Sequence, residues 1–358
     1  MDIEQRLSLI KQVGEEIITA EELRELLQSK KQFIAYDGFE PSGTNIHIAQ
    51  GLLRAININK MTKAGCQFKM FVADWHAWAN NKMGGDLEKI QKVGKYLIEV
   101  WRACDMDLKQ VEFIWASDLM KDIEYLKLVM QVARHSTVNR ITRCAQIMGR
   151  KEDEALQASQ ILYPCLQAAD IFYLKADICQ LGMDQRKVNV LARELAPKLG
   201  YIKPIIVSHH MLMGLGEPPK TGGAVERALA MKMSKSKPET AIFMTDLSAD
   251  VEKKIQKAYC PEGLIEENPI LEYCRYILFE KFPTLKIGRQ AKFGGNIEFK
   301  SYTELEAAFA QKKLHPLDLK QSVSKHLNLL LEPVQKKLAA NKTAQKLAQE
   351  IQWFEVTR

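Results

Sequence analysis

No stretch of the 358 residues approaches the roughly 20 consecutive apolar positions of a membrane-spanning helix, so no membrane partner is expected. The chain also opens without a leader-like apolar run. Met1-Asp2-Ile3-Glu4-Gln5-Arg6 is charged and reads as the start of an amphipathic helix. The seven cysteines show no Cys-x-x-Cys spacing and do not group with the seven histidines, so no protein-bound metal is expected. Scattered in this way they read as reduced thiols packed as small hydrophobes, which implies a reducing compartment, the cytoplasm. Internal repeats and low-complexity stretches are missing as well. The first glycine-bearing turn lacks Gly-x-Gly-x-x-Gly, which argues against a dinucleotide oxidoreductase.

What is present is enough for two cores. The chain has a mass of 40.8 kDa, beyond the size at which one core usually stops growing, and 46% of its residues are hydrophobic. The net charge of +7 is unevenly spread. Between positions 312 and 346 eight lysines face only Asp318 and Glu332, which fits either a polyanion partner or a solvated helix face.

Apolar spacing sets out the elements. Ile3, Leu7, Ile10 and Val13 mark one helix, and Leu23, Leu26 and Leu27 a second, opened by a Thr19/Glu22 capping box. Phe33 to Tyr36, Phe68 to Ala73, Val111 to Trp115, Ala176 to Leu181 and Ile205 to Ser208 read as strands, separated by helical patterns. This alternation predicts an α/β fold, a Rossmann-like parallel sheet with its ligand at the carboxyl ends of the strands. After Ser236 the pattern turns helical, at 251–259, 271–279, 302–309, 319–331 and 333–353, with one weak strand near 296–299. The boundary is therefore expected near 238, between a Rossmann-like domain at 1–238 and a mostly helical one at 239–358.

Two short runs carry the chemistry. The first strand ends in Tyr36-Asp37-Gly38-Phe39-Glu40-Pro41-Ser42-Gly43, followed by His47-Ile48-Ala49-Gln50. Gly38 and Gly43 allow a ligand close to the backbone, and the helix starting near His47 turns its positive end to the same place, a common structural turn that also suits phosphate. Far downstream lies Lys232-Met233-Ser234-Lys235-Ser236, by itself readable as a solvated loop. Asp170 alone reads as a helix-end cap, Tyr163 as core and His315 as a surface histidine.

Together, and in this order, the runs resemble the two ATP-handling signatures of class I aminoacyl-tRNA synthetases. With Ala73-Asp74-Trp75-His76-Ala77, Tyr163-Pro164-Cys165-Leu166-Gln167-Ala168-Ala169-Asp170, Gly182-Met183-Asp184-Gln185-Arg186-Lys187 and Leu314-His315-Pro316-Leu317-Asp318-Leu319-Lys320, nearly the whole chain resembles the tyrosyl-tRNA synthetase family. The likeness is to its archaeal and eukaryotic branch, and Asp37-Gly38-Phe39 and Ser208-His209-His210-Met211-Leu212 are most similar to its plant, protozoan and giant-virus members.

The resemblance implies tyrosine–tRNA ligase activity on L-tyrosine, ATP and tRNA(Tyr), with Mg2+ accompanying ATP, in a homodimer. It implies that His47, Lys232 and Lys235 act on the phosphates, and that Gly38, Gly43, Gly182 and Asp184 hold the rest of ATP. Tyr36 and Asp170 would meet the substrate phenol, with Tyr163, Gln167 and Gln185 around its amino and carboxylate groups. Arg186, and more weakly Arg143 in a helix expected over 137–148, would meet the tRNA acceptor stem. Phe293, His315 and Asp318 would meet the anticodon. The chain departs from the family at Ala49-Gln50, where Gly-His is usual, and in the longer approach to the lysine loop at 217–231, expected as an exposed Pro/Gly-rich stretch. Ending at Arg358, it is expected to carry no further C-terminal domain.

Overall fold

The computed structural model describes residues 1–148 and 155–355. In chain order, α1 (Ile3–Val13), β1 (Gly14–Ile18), α2 (Ala20–Ser29) and β2 (Phe33–Phe39) come first. Then follow α3 (Arg54–Lys63), β3 (Cys66–Val72), α4 (Asp74–Ala79), α5 (Leu87–Ala103), β4 (Val111–Trp115), α6 (Ala116–Leu119) and α7 (Ile123–Arg134). After α8 (Val138–Thr142) come α9 (Ala158–Tyr173), β5 (Ile178–Cys179), α10 (Arg186–Leu199), β6 (Ile205–His209) and α11 (Ala224–Met231). The remainder is α12 (Ser248–Lys257), α13 (Pro269–Tyr273), α14 (Phe279–Lys281), β7 (Leu285–Ile287), β8 (Ile297–Phe299), α15 (Tyr302–Ala310), α16 (Pro316–Ala340) and α17 (Lys342–Ile351). No helix among the described residues is long and apolar enough to cross a membrane.

The main sheet has the order β1-β6-β5-β2-β3-β4. Every pair is parallel except β1 with β6, which is antiparallel. From β2 the chain runs outward to β3 and β4, then crosses back to β5 on the other side. The order thus reverses between β2 and β5, and their carboxyl ends frame a crevice.

Side chains alternate across the sheet and feed two cores. Phe33, Ala35, Phe68 and Met70 face one core, which continues through α5 into Leu271, Leu319 and Leu327 of the helical part. Tyr36, Phe71 and Cys179 face the other, built with Tyr125, Leu128 and Ala168 of α7 and α9. The Thr19/Glu22 capping box forms, and a second one at Asp2/Gln5 opens α1.

Several elements differ from expectation. The antiparallel edge strand β1 carries no apolar alternation; it forms because Glu16, Ile17 and Ile18 pair with Ser208, Val207 and Ile206. The helix expected over 137–148 breaks after Thr142 and resumes as a 3-10 turn at Ala145–Met148. Pro333 does not divide two helices: α16 runs through it, with Leu327, Leu331 and Val334 buried, and stops at Asn341. Their burial outweighs the one backbone bond that proline removes. The weak strand near 296–299 exists as β8, paired antiparallel with β7.

Arg6 ties the N-terminal helices to the sheet. Its buried guanidinium donates to Ala64 O (2.7 Å), Leu27 O (3.1 Å), Lys31 O (3.0 Å) and Lys30 O (3.3 Å). Arg6→Met would strand these carbonyls without donors and should cost roughly 3 kcal/mol in denaturant unfolding. A loss below about 0.5 kcal/mol would contradict this role.

Candidate functional site

A cavity of about 260 Å3 opens at the crevice between β2 and β5. Its walls bring together Tyr36, Gly38, His47, Tyr163, Gln167, Asp170, Gly182, Asp184, Gln185 and Lys232, from five separate stretches of chain. Gly43 and Lys235 stand together beside it: a Cβ on Gly43 would lie 2.8 Å from Lys235 Cδ.

At the deep end Asp170 is fully buried, with one oxygen hydrogen-bonded and the other making no hydrogen bond among the described residues. Oδ1 accepts from Tyr125 OH at 2.7 Å, and Oδ2 lies 3.0 Å from His76 Nε2. The His76 ring is wedged edge-on against Phe71 and Tyr163. Burial, with Asp170 nearby, pushes the Tyr36, Tyr125 and Tyr163 phenols well above their ordinary range, so all three stay protonated donors. Gln167 Nε2 donates to Gln185 Oε1 at 3.1 Å along the upper wall.

The outer end is dense in charge. Lys232 Nζ donates to Asp184 Oδ2 at 3.0 Å. Gly182 admits that carboxylate, since a Cβ there would lie 2.7 Å from Asp184 Oδ1. Lys235 Nζ is buried and makes no hydrogen bond among the described residues. Burial lowers it to about 8, with Arg54 and Lys82 adding to the effect and Glu40 opposing it. His47 is 7% exposed, and burial plus the cations Lys235, Arg54 and Lys232 hold its imidazole neutral. In β2, Asp37 meets Arg54 Nε at 3.1 Å, and burial lifts its carboxyl to about 6 against the pull of that arginine. Such a site suits a polyanion: a buried unpaired ammonium and a neutral imidazole donor beside a glycine turn. Among the described residues no group of three or more His, Cys, Asp or Glu could hold a metal ion.

The other expected residues lie outside this cavity. Arg186 begins α10, and its Nε donates to Glu16 Oε2 of β1 at 2.7 Å. Arg143 is exposed at the end of α8. Phe293 is 59% exposed, with Lys292 Nζ 4.9 Å above its ring. His315 caps α16, its Nδ1 accepting from Leu317 N at 3.2 Å, and Asp318 sits in the first turn. Arg289 joins the two loops, donating to Gly295 O (2.9 Å) beside Phe293 and to Lys313 O (3.1 Å) beside His315. The approach segment to the lysine loop is partly helical, as α11, and Arg227 Nε holds it to Glu267 at 3.3 Å.

Sequence reasoning gave no role to His76, Tyr125, Asp37 or Arg54. His76 lay inside a motif that was noticed, whereas Tyr125 reaches Asp170 from 45 residues away with no local signal.

Comparison with known proteins gives the chain a family. The family model for "tRNA synthetases class I (W and Y)" matches residues 28–332. Two cytoplasmic tyrosine–tRNA ligases of Arabidopsis thaliana are each 49% identical over the whole chain, which spans 90% of one and 46% of the other. The solved tyrosyl-tRNA synthetase of Pyrococcus horikoshii, in complex with L-tyrosine, superposes with a TM-score of 0.90 at 39% identity, covering 98% of this chain and all of that one. That of Leishmania major, with tyrosinol, gives 0.90 at 41%, covering 99% of this chain and 61% of that one. A tryptophanyl-tRNA synthetase from Aeropyrum pernix shares the fold alone, at 18% identity and a TM-score of 0.67. The chain is a class I tRNA synthetase. Within that class it belongs to the tyrosyl-tRNA synthetase family.

Proposed function

We propose that this chain is a tyrosine–tRNA ligase working in two steps, and that the cavity just described holds both small substrates. The observation that carries the reading is the pairing of its two ends: a buried Tyr36/Asp170 phenol site and a cationic rim with an unpaired ammonium. A tyrosine carboxylate oxygen attacks the α-phosphate of ATP, the bond to the leaving pyrophosphate breaks, and tyrosyl-adenylate forms. A terminal ribose hydroxyl of tRNA(Tyr) then attacks the tyrosyl carbonyl, the bond to the adenylate phosphate breaks, and AMP leaves.

Such a displacement leaves positioning and charge stabilisation to the protein. Lys235 and Lys232 balance charge on the α-phosphate and the leaving group. His47, kept neutral, donates to a phosphate oxygen. Asp184 accepts from the ribose hydroxyls once Lys232 turns to the phosphates, and Gly38, Gly43 and Gly182 let ATP lie against the backbone. Mg2+ would enter with ATP as part of that substrate. Tyr163, Gln167 and Gln185 hold the amino and carboxylate groups of tyrosine.

Residues 1–238 form the catalytic unit in this reading and 239–358 the anticodon unit. Arg186 meets the acceptor stem, while Phe293, His315 and Asp318 read anticodon bases, helped by the lysines of α16 and α17. The large apolar side chains Ile123, Met130 and Val138, exposed at 70%, 63% and 62%, support a homodimer face at α7 and α8. The names of the plant relatives support a cytoplasmic setting.

Selectivity tests the phenol site. Asp170→Ala would strand Tyr125 and His76, so the cleaner variant is Tyr36→Phe combined with Asp170→Asn. It should lower the tyrosine-over-phenylalanine ratio of kcat/KM by at least about tenfold, the worth of one buried hydrogen bond. A ratio equal to the parent's would sink the assignment.

The anticodon site is tested separately by Phe293→Ala and Asp318→Ala. Loss of a stacking face or a base contact, worth roughly 1–3 kcal/mol, should slow tRNA charging about 10- to 100-fold. Tyrosine-dependent pyrophosphate exchange needs no tRNA and should stay near the parent rate. Equal losses in both assays would mean that these residues support the fold instead.

A further inference from the structure

His210 stands where three distant parts of the chain meet. Its Nδ1 is 3.2 Å from Glu15 Oε2 in β1, and its Nε2 is 3.0 Å from Glu272 Oε2 in α13. Its ring lies flat on Tyr276, with centroids 4.3 Å apart and planes 11° from parallel. A neutral imidazole carries one N–H and no charge, whereas an imidazolium pairs with both carboxylates, with Glu15 through the Nδ1 hydrogen bond and with Glu272 as an ion-pair contact of Nε2. Two carboxylates around one ring therefore call for the charged form.

The segment that His210 opens is also the wall of the cavity. His210, Met211 and Leu212 line it. Met213 N donates to Glu272 Oε2 at 2.9 Å, and Tyr273 OH donates to Met213 O at 2.9 Å, so α13 bolts this wall to the helical part. The lysine loop hangs from the other edge of the wall. Met233 N donates to Leu212 O and Gly214 N to Met231 O, each at 2.8 Å, bracketing Lys232.

We infer that His210, clamped as a cation between Glu15 and Glu272, is a positioning residue that sets the 210–213 wall and, through it, the register of Lys232. This rests on the reading of the cavity as an ATP site. The residue touches no reacting atom in this account. It acts by holding the segment from which the lysine loop is hung.

The groups around it are consistent with a lasting charge. Burial alone would lower His210, yet the carboxylates of Glu15 and Glu272 raise it to about 9. From β6, His209 is neutral, lowered by burial to about 3. The turn after α13 supplies Tyr276 and Arg275, whose guanidinium lies 5.2 Å above the Tyr276 ring. Because the folded value lies above the ordinary one, the clamp stabilises the fold fully below about pH 6.5 and loses that contribution as pH rises through about 9.

Histidine proton NMR on the whole chain reads the clamp without substrate. Assigned by its loss in His210→Gln, the His210 signal should titrate near pH 9 in the parent and at least one unit lower in Glu15→Gln. Pyrophosphate exchange, with ATP and tyrosine varied separately, reads the consequence. His210→Gln should raise KM for ATP about tenfold and change KM for tyrosine less than about twofold. His210→Arg, a planar cation able to stack and reach both carboxylates, should recover most of the loss. A parent His210 titrating near 6.5 overturns the proposal. So does a parallel rise of both KM values that arginine does not rescue, which would mark a residue that only supports the fold. Absence of tyrosine-dependent exchange in the parent would overturn the proposed function and not the clamp, which the titration still reads.

Discussion

Ile48 N donates to Ile242 O at 2.9 Å, and Met244 N donates to Ile46 O at 2.8 Å. These two backbone bonds, with the bridge between His47 and Phe243, staple the chain just past the lysine loop to the start of the helix behind the glycine turn. That staple is the direct backbone link between two runs of charge-bearing residues far apart in sequence, and the bonds of Met233 N to Leu212 O and Gly214 N to Met231 O add a second hold through the 210–213 wall. With it, Lys235 lies against Gly43, where only a missing Cβ leaves room for its stem. Met244 in turn packs on Gly51, where a Cβ would come within 2.6 Å of its sulfur. The cationic rim depends on this seam between the sheet and the beginning of the helical part.

Inside the seam, charge is organised by scarcity of water. Arg54 lies in the cavity wall, its guanidinium 5.5 Å over the Trp101 ring and paired with Asp37. As a fixed cation it helps keep His47 and His209 neutral and adds to the lowering of Lys235. A polyanion entering this rim would meet donors already oriented and poorly solvated, so little reorganisation accompanies its binding. At the deep end the logic is reversed. Asp170 has Oδ1 held by the Tyr125 hydroxyl, while Oδ2 lies beside His76 without a hydrogen bond and is left to accept from a further donor. The two ends share walls but not chemistry, which suits a reaction that joins an amino acid to a nucleotide.

Much of this was legible in the sequence, for physical reasons that can be named. Buried strands read as apolar runs, so β2, β3 and β6 stood out along with the half-buried β4, and the Thr19/Glu22 capping box marked α2. Cavity residues at 36–47 and 182–185 were legible because those runs sit at a strand end or a helix start, whereas Tyr163, Gln167 and Asp170 lie inside α9 and read as core or cap until the runs are taken together. What was hidden depends on long-range contact. β1 is Gly-Glu-Glu-Ile-Ile, too short and too charged to read as a strand until β6 is beside it. Pro333 reads as a helix stop unless the buried face of α16 is known. Tyr125 and Arg54 gain their roles only by meeting Asp170 and Asp37, and the His210 clamp joins residues 195 positions apart.

The central claim is that one cavity binds tyrosine and ATP together and joins them. Exchange of labelled pyrophosphate into ATP, run with each of the twenty amino acids and no tRNA, tests it most directly. The account predicts exchange with tyrosine far above every other amino acid, tryptophan and phenylalanine included. Exchange led by tryptophan, or none with any amino acid in a folded preparation, would contradict it.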